Sequence, residues 1–257
     1  MSTRADVALV ERGLVRSRTL ARRLIEAGAV LTDGPGGEVP VTRAAQPIFP
    51  DQPLRVLESE TTRFVSRGGN KLDAALQAAG IDCTGLDALD VGMSTGGFTH
   101  CLLARGARQV LGIEVGHGQL DPVLAADPRV HCLEHTHIRD VHLADLRLPD
   151  GSAPAQGFAL IVVDLSFIAA SHLLDKLATL AAPGGRLTCL IKPQFELGPQ
   201  ARNRQGIVRA DADLNGLRRD VIQRAEDAGW QVNDWQRCAL VGGDGNQEYF
   251  LIATRRP

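Results

Sequence analysis

From about Lys71 onward the chain repeats one unit: a short apolar run, a polar or glycine-rich turn, then a segment with helical spacing. The runs "LDALDV", "QVLGIEV", "RVHCLE", "FALIVVDLSF" and "GRLTCLIK" recur in this way. Apolar strands alternating with helices specify an α/β fold with a mostly parallel sheet. "FALIVVDLSF" lacks the period-two alternation of a half-exposed strand, so it is expected at the sheet centre, covered on both faces. In such a sheet the carboxyl ends of the strands share one rim, the edge at which open α/β sheets bind ligands. That rim collects a glycine-rich turn after Val91, Glu114, Asp164 and Lys192.

At 257 residues and 44% hydrophobic content the chain can build a medium domain plus a small one. A formal charge of −2 gives no whole-chain nucleic-acid signature, so any basic surface must be local. The five cysteines are widely spaced without a C-x-x-C pair, which suggests core thiols in a reducing compartment, hence a cytoplasmic protein. The N-terminus carries no apolar signal core. The most apolar stretch, "FALIVVDLSFIAA", is too short to span a bilayer and contains Asp164. No membrane association is expected.

The first sixty residues have a different texture. "ADVALVERG" reads as a short helix stopped by Gly13, and "SRTLARRLIEAG" as a second, with Ser17 as N-cap, Leu20, Leu24 and Ile25 as apolar face and Gly28 as stop. Short strands "AVLT", "EVPV" and "PLRVLE" follow. The expected organisation is a small α+β domain over 1–60, a linker over 61–70 ("TTRFVSRGGN") and the large α/β domain over 71–257. Arg12, Arg16, Arg18, Arg22 and Arg23 crowd around the second helix, with Arg4 before the first; Arg18 and Arg22 share a helical face. A charge run of this kind is either a solvated helix face or a phosphate-binding surface. The chain over most of residues 4–57, above all Ser17 to Val30, resembles the small RNA-binding domain first described in a ribosomal protein, the S-four-like domain. That resemblance implies contact between these arginines and structured RNA.

In the large domain, a strand, a glycine-rich turn and a helix N-terminus ("LDALDVGMSTGGFTHCLLARGA") make a cradle for a nucleotide-like ligand. Ser94 stands where the dinucleotide fingerprint needs its second glycine, which disfavours a dehydrogenase. Glu114, at the end of the next strand, is placed to bond ribose hydroxyls. A non-phosphate turn with such an acid suits S-adenosylmethionine, though a structural turn or another nucleotide remains open on spacing alone. The candidate cofactor-contacting residues are Asp90, Gly92, Ser94, Thr95, Gly96, Gly97, Phe98, Glu114, His137 and Asp164. His135 and His137 invite a metal reading, but nothing nearby completes a ligand set, so no metal is expected.

Lys192 ends an apolar strand and is followed by Pro193. An ordinary lysine is a poor base at neutral pH, and desolvation or a second cation improves it. Lys71 supplies such a cation, and Asp164 and Glu248 supply acids. The motifs "FVSRGGNKL", "DVGMSTGGFT", "VVDLSF", "IKPQFELG", "GIVR" and "GNQEYF" occur in the order found in the TlyA family. These ribosomal RNA 2′-O-methyltransferases are related to the FtsJ/RrmJ group and also carry a haemolysin label. The resemblance spans about Arg4 to Thr254. It implies a Rossmann-like methyltransferase sheet with S-adenosylmethionine as cofactor and ribosomal RNA or ribosomal subunits as partner. It also implies a Lys71–Asp164–Lys192–Glu248 tetrad, with a cytidine ribose as target. The chain departs from the family pattern at Met93, where alanine is usual, at His100 (aspartate), at His137 (asparagine) and at Leu240-Val241 (serine-proline). Two other classes stay open: a non-catalytic RNA-binding factor on a degenerate methyltransferase fold, and a membrane-acting haemolysin.

Overall fold

The computed structural model describes residues 2–15, 17–34, 36–57, 63–154, 156–242 and 245–257, which divide into two compact units, Met1–Arg63 and Phe64–Pro257. The first contains β1 (Thr3–Arg4), α1 (Ala5–Glu11), α2 (Arg18–Glu26), β2 (Val30–Gly34), β3 (Gly37–Pro40), β4 (Pro47–Ile48) and β5 (Leu54–Val56). Ser17 caps α2 by accepting from the Leu20 N–H at 3.2 Å. The helix packs Ala21, Leu24 and Ile25 onto Ala8 and Leu9 of α1, and Val30, Val41, Ile48 and Leu54 complete that core. Strand β2 is central in an antiparallel β3-β2-β5 sheet, while β1 pairs with β4.

The second unit contains α3 (Arg67–Ala78), β6 (Asp87–Val91), α4 (Gly97–Ala104), β7 (Gln109–Ile113), α5 (Pro122–Ala125) and β8 (Val130–Leu133). It continues with β9 (Phe158–Val163), α6 (Leu174–Ala178), β10 (Ala181–Ile191), α7 (Pro193–Glu196), α8 (Leu214–Asp227), β11 (Trp230–Arg237) and β12 (Tyr249–Arg255). The sheet runs β11-β12-β10-β9-β6-β7-β8, and β12 alone is antiparallel to its neighbours. One face carries Leu89, Leu111, Ile161 and Leu187 against Leu177 of α6 and Leu217 and Val221 of α8. The other carries Ala88, Val110, Leu160 and Leu190 against Leu72 and Leu76 of α3 and Leu102 of α4. "FALIVV" is indeed interior, between β10 and β6, and its burial on both faces explains its unbroken apolar character.

The order of strands reverses at β6: the chain builds outward through β7 and β8, then returns to lay β9 on the other side. The crevice of an open sheet lies at such a point, beyond the strand ends. Gly92 (φ +85°) turns the chain there, and a Cβ on it would lie 2.4 Å from the Asp164 carbonyl oxygen.

The stretch expected as a linker is partly structural. Phe64 and Val65 are buried in the large unit's core, and α3 begins at Arg67. Gly69, inside that stretch, is a packing contact: a Cβ on it would fall 2.8 Å from the Gly97 carbonyl oxygen and 2.4 Å from Phe64 Cγ. Two helices therefore cross closely at Gly69 and Gly97, which carries Lys71 toward the glycine-rich turn. All five cysteines are free thiols.

Candidate active site

A cavity of about 470 Å³ opens at the reversal point, within the range of small-molecule sites. Val91, Ile113, Val115, Ile138, Leu165 and Ile168 give it apolar walls suited to a flat heterocycle. Glu114, at the end of β7, is 9% exposed; one carboxylate oxygen accepts from the Ser94 N–H at 2.9 Å and the other from the Gly116 N–H at 2.7 Å. These bonds fix its orientation and leave lone pairs for a ribose diol. His137 lines the same wall and uses Nδ1 to accept from the Arg139 N–H at 3.1 Å, so it caps a short turn while facing the cavity. The residues present thus fit a nucleoside-type group held without phosphate.

Beside this cavity lies a smaller, polar pocket of about 170 Å³, lined by Ser66, Gly68, Lys71, Thr95, Phe98, Asp164, Ser166 and Lys192 among others. Gly92, Ser94, Asp164 and Ser166 line both. Lys192 Nζ is 2.7 Å from Asp164 Oδ1, a charge contact without hydrogen-bond alignment, and directs a hydrogen bond to Ser166 Oγ at 3.0 Å. Lys71 Nζ donates to Glu248 Oε2 at 2.5 Å, and both side chains are under a tenth exposed. The register explains the assembly. Leu190 pairs with Phe250 and Ile191 with Tyr249, so the next step along this antiparallel ladder sets Lys192 opposite Glu248. Two ion pairs, Lys192–Asp164 and Lys71–Glu248, therefore stand on adjoining strand ends, with Lys192 on the pocket and Glu248 behind Lys71.

Two of the sequence-derived cofactor candidates lie off the cavity lining. Asp90 is fully buried and accepts from Thr99 Oγ1 at 2.7 Å; its other carboxylate oxygen has no hydrogen-bond partner. As the even-numbered partner of Ala88 along β6, it faces α4 beneath the turn, and burial, opposed by the Thr99 bond, pushes its pKa up to about 7. Gly96 lies against Leu120 and Leu124, with no room for a Cβ. Gly92, Ser94, Thr95, Gly97, Phe98, Glu114, His137 and Asp164 all line one pocket or the other.

Residues the sequence reading did not single out include Ser66, Gln119, Thr136, Ser166 and Phe167. Ser166 follows Asp164 by two in "DLSF", which was the available signal. Phe167 is 90% exposed with φ +70°, a strained position for an aromatic, and its ring lies 5.5 Å from that of Phe195. The family departures also find places. Met93 lays its thioether over Gly112, where any added side chain would collide. His100 Nδ1 accepts from the Val65 N–H at 3.1 Å, and the Val241 carbonyl accepts from Arg67 at 2.9 Å.

Within the small unit, Arg4, Arg18 and Arg22 all bond the carboxylate of Asp6. Arg12 instead clamps a loop, donating to the carbonyls of Phe49 at 2.7 Å and Gln52 at 2.5 Å. Arg23 is exposed, and Arg16 lies outside the described residues. Among the described residues no group of His, Cys, Asp and Glu is arranged to hold a metal, and no helix is long and apolar enough to cross a membrane.

This sheet order, with its single reversed strand, and a nucleoside cavity adjoining a charged pocket define an S-adenosylmethionine-dependent methyltransferase. A solved S-adenosylmethionine-dependent methyltransferase from Listeria monocytogenes shares the fold at TM-score 0.53 and 14% identity, over 73% of this chain and 99% of that one. The FtsJ-like methyltransferase model matches residues 64–255 and the S4 domain model residues 3–34. The chain belongs to the FtsJ-like methyltransferases and, within them, to the TlyA family; its cofactor is S-adenosylmethionine. It is 39% identical over 251 residues (96% of this chain, 88% of the relative) to the 16S/23S rRNA (cytidine-2′-O)-methyltransferase TlyA of Mycobacterium tuberculosis. Hemolysin A of Brachyspira hyodysenteriae is 32% identical, with 96% and 98% covered. A hemolysin-named protein of Streptococcus thermophilus superposes at TM-score 0.73 with 30% identity, covering 99% of this chain and 89% of that one.

Proposed function

We propose that the enzyme methylates a ribose 2′-hydroxyl of ribosomal RNA, with a cytidine as target, and that Lys71, Asp164, Lys192 and Glu248 carry the reaction. The observation that supports this best is the pair of lysine–carboxylate contacts on adjoining strand ends, opening into a pocket that shares a wall with the nucleoside cavity. S-adenosylmethionine, when bound, supplies a methyl group on a sulfonium centre. Glu114 would hold the ribose hydroxyls of the cofactor, and the apolar walls would hold its base. Lys192 Nζ binds the substrate hydroxyl oxygen and orients it for in-line attack. The hydroxyl proton passes to the Lys192–Asp164 pair as the oxygen takes up the methyl group that the cofactor would supply. Lys71, neutralised by Glu248, adds a fixed dipole facing the developing negative oxygen. Target recognition rests on the 2′-hydroxyl, which DNA lacks. The small unit supplies RNA affinity, and a cytoplasmic site of action follows from a ribosomal RNA substrate.

Lys192→Ala tests the assignment. The variant is expected to bind S-adenosylmethionine by calorimetry like the parent and to transfer no methyl group to ribosomal RNA. Transfer at an appreciable fraction of the parent rate sinks the role given to Lys192. Mapping of 2′-O-methyl positions in ribosomal RNA from cells with and without the protein tests the substrate: an unchanged map would remove ribosomal RNA from consideration.

A further inference from the structure

Among the described residues of the small unit, the deepest charge is an acid. Asp6, in the first turn of α1, is 0% exposed, and its carboxylate gathers three guanidinium groups. Arg4 Nε donates to Oδ1 at 2.9 Å; Arg18 Nη2 and Arg22 Nε donate to Oδ2 at 3.0 and 3.1 Å. Hydrogen bonding from Arg4, ahead of the desolvation that opposes it, holds Asp6 well below the usual carboxylate range. A buried carboxylate needs compensation, and one well-placed arginine with further hydrogen bonds could give it. Here three converge, from β1 and two successive turns of α2, and all three side chains remain about half exposed, at 48%, 53% and 52%.

The donor geometry gives this convergence a use. A guanidinium has five N–H groups on three edges. Arg4 and Arg18 turn the Nε–Nη2 edge to Asp6, and Arg22 turns its Nε. The Nη1 ends are left facing away from the carboxylate, each able to take a phosphate oxygen pair end-on. Three long side chains that would otherwise sample many rotamers are thereby held in one arrangement before any ligand arrives, which reduces the ordering cost of binding. We infer that Asp6 is a positioning residue that pre-arranges Arg4, Arg18 and Arg22 into a single phosphate-binding cluster for the backbone of folded RNA. This rests on the reading that the enzyme acts on ribosomal RNA. It adds that geometry around a buried acid, not the count of positive charges, makes the small unit an RNA-binding surface.

Two charge-matched comparisons in the full-length protein test it, with deproteinised ribosomal RNA and poly(U) as probes. Arg22 and Arg23 are neighbours on α2, but only Arg22 bonds Asp6. Arg22→Gln is expected to weaken ribosomal RNA binding about tenfold and to lower the salt slope by about one, while Arg23→Gln changes both little. Equal losses for the two overturn the inference. Asp6→Asn removes a negative charge from a basic patch, so field strength alone predicts tighter binding to any polyanion. Positioning predicts weaker binding to ribosomal RNA with poly(U) binding unchanged or stronger. It also predicts a raised KM for ribosomal RNA at unchanged kcat, because the catalytic unit is untouched. Tighter ribosomal RNA binding by Asp6→Asn refutes the inference; should that variant unfold, the Arg22/Arg23 comparison still decides. A parent protein that fails to bind ribosomal RNA at all overturns the functional reading itself, an outcome distinct from either.

Discussion

Asp90 makes a quantitative prediction about the large unit. Its side chain is completely buried, one oxygen bonded to Thr99 and the other without a hydrogen-bond partner, and its pKa is raised from 3.8 to about 7. A carboxyl whose folded pKa lies above its unfolded value stabilises the fold most when protonated, and that contribution is lost as pH rises from the unfolded pKa through the folded one. With these two values the loss between pH 5 and pH 8 comes to about 2–3 kcal/mol. Asp90→Asn keeps the acceptor for Thr99 and cannot ionise. The stability difference between variant and parent should therefore widen in the variant's favour by about 2–3 kcal/mol between pH 5 and pH 8. Both tryptophans, Trp230 and Trp235, lie in the large unit, and Trp230 is fully buried, so fluorescence-detected urea unfolding reports that unit alone. Every other titratable group is common to both proteins. A difference between parent and variant that stays the same at the two pH values would refute the reasoning.

Other outcomes follow from the same geometry. Glu248→Ala leaves the Lys71 ammonium, 8% exposed, without its carboxylate, and should cost about 3–5 kcal/mol in urea unfolding together with methyl transfer. Unfolding within experimental error of the parent would show the pair to be solvated. Gly69→Ala forces a Cβ toward Phe64 and the Gly97 carbonyl, and should cost about 1–3 kcal/mol by calorimetric melting and lower kcat by displacing Lys71; an unaltered melting temperature contradicts the close crossing. Lowering the pH protonates Asp6, whose depressed pKa makes its contribution complete above the unfolded carboxylate range and lost as pH falls. Small-unit amide exchange in the full-length chain should accelerate below about pH 4 in the parent and show no such step in Asp6→Asn.

Much of this was legible in the sequence because it is written in local period. The strand runs, the turn after Val91 and the caps at Ser17 and Gly28 each depend on neighbours within a few residues, and the strand-end rule then located Glu114, Asp164 and Lys192 on one rim. What was not legible depends on contacts between distant segments. "SRGG" falls in the expected linker by its composition, yet its second glycine is there because Gly97 lies against it. Asp90 looked like a ligand contact by its place before the turn; which side of β6 faces α4 is settled only by the packing. The arginines of the small unit were visible as a charge run, but sequence spacing could not separate Arg12, which binds loop carbonyls, from Arg4, Arg18 and Arg22, which share one acid. Asp6 escaped notice because a lone acid near a helix start is ordinary until its burial is known.

The reversed strand β12 has a consequence in time. Synthesis proceeds from β6 to β10 before β12 appears, and β12 must then insert between β10 and β11. Glu248 arrives immediately ahead of it, so a nascent chain holds Lys71 without its counter-charge until that insertion is complete. The order of translation thus makes the Lys71–Glu248 ion pair one of the last features of the large unit to form, a late lock on a sheet whose other strands are already made.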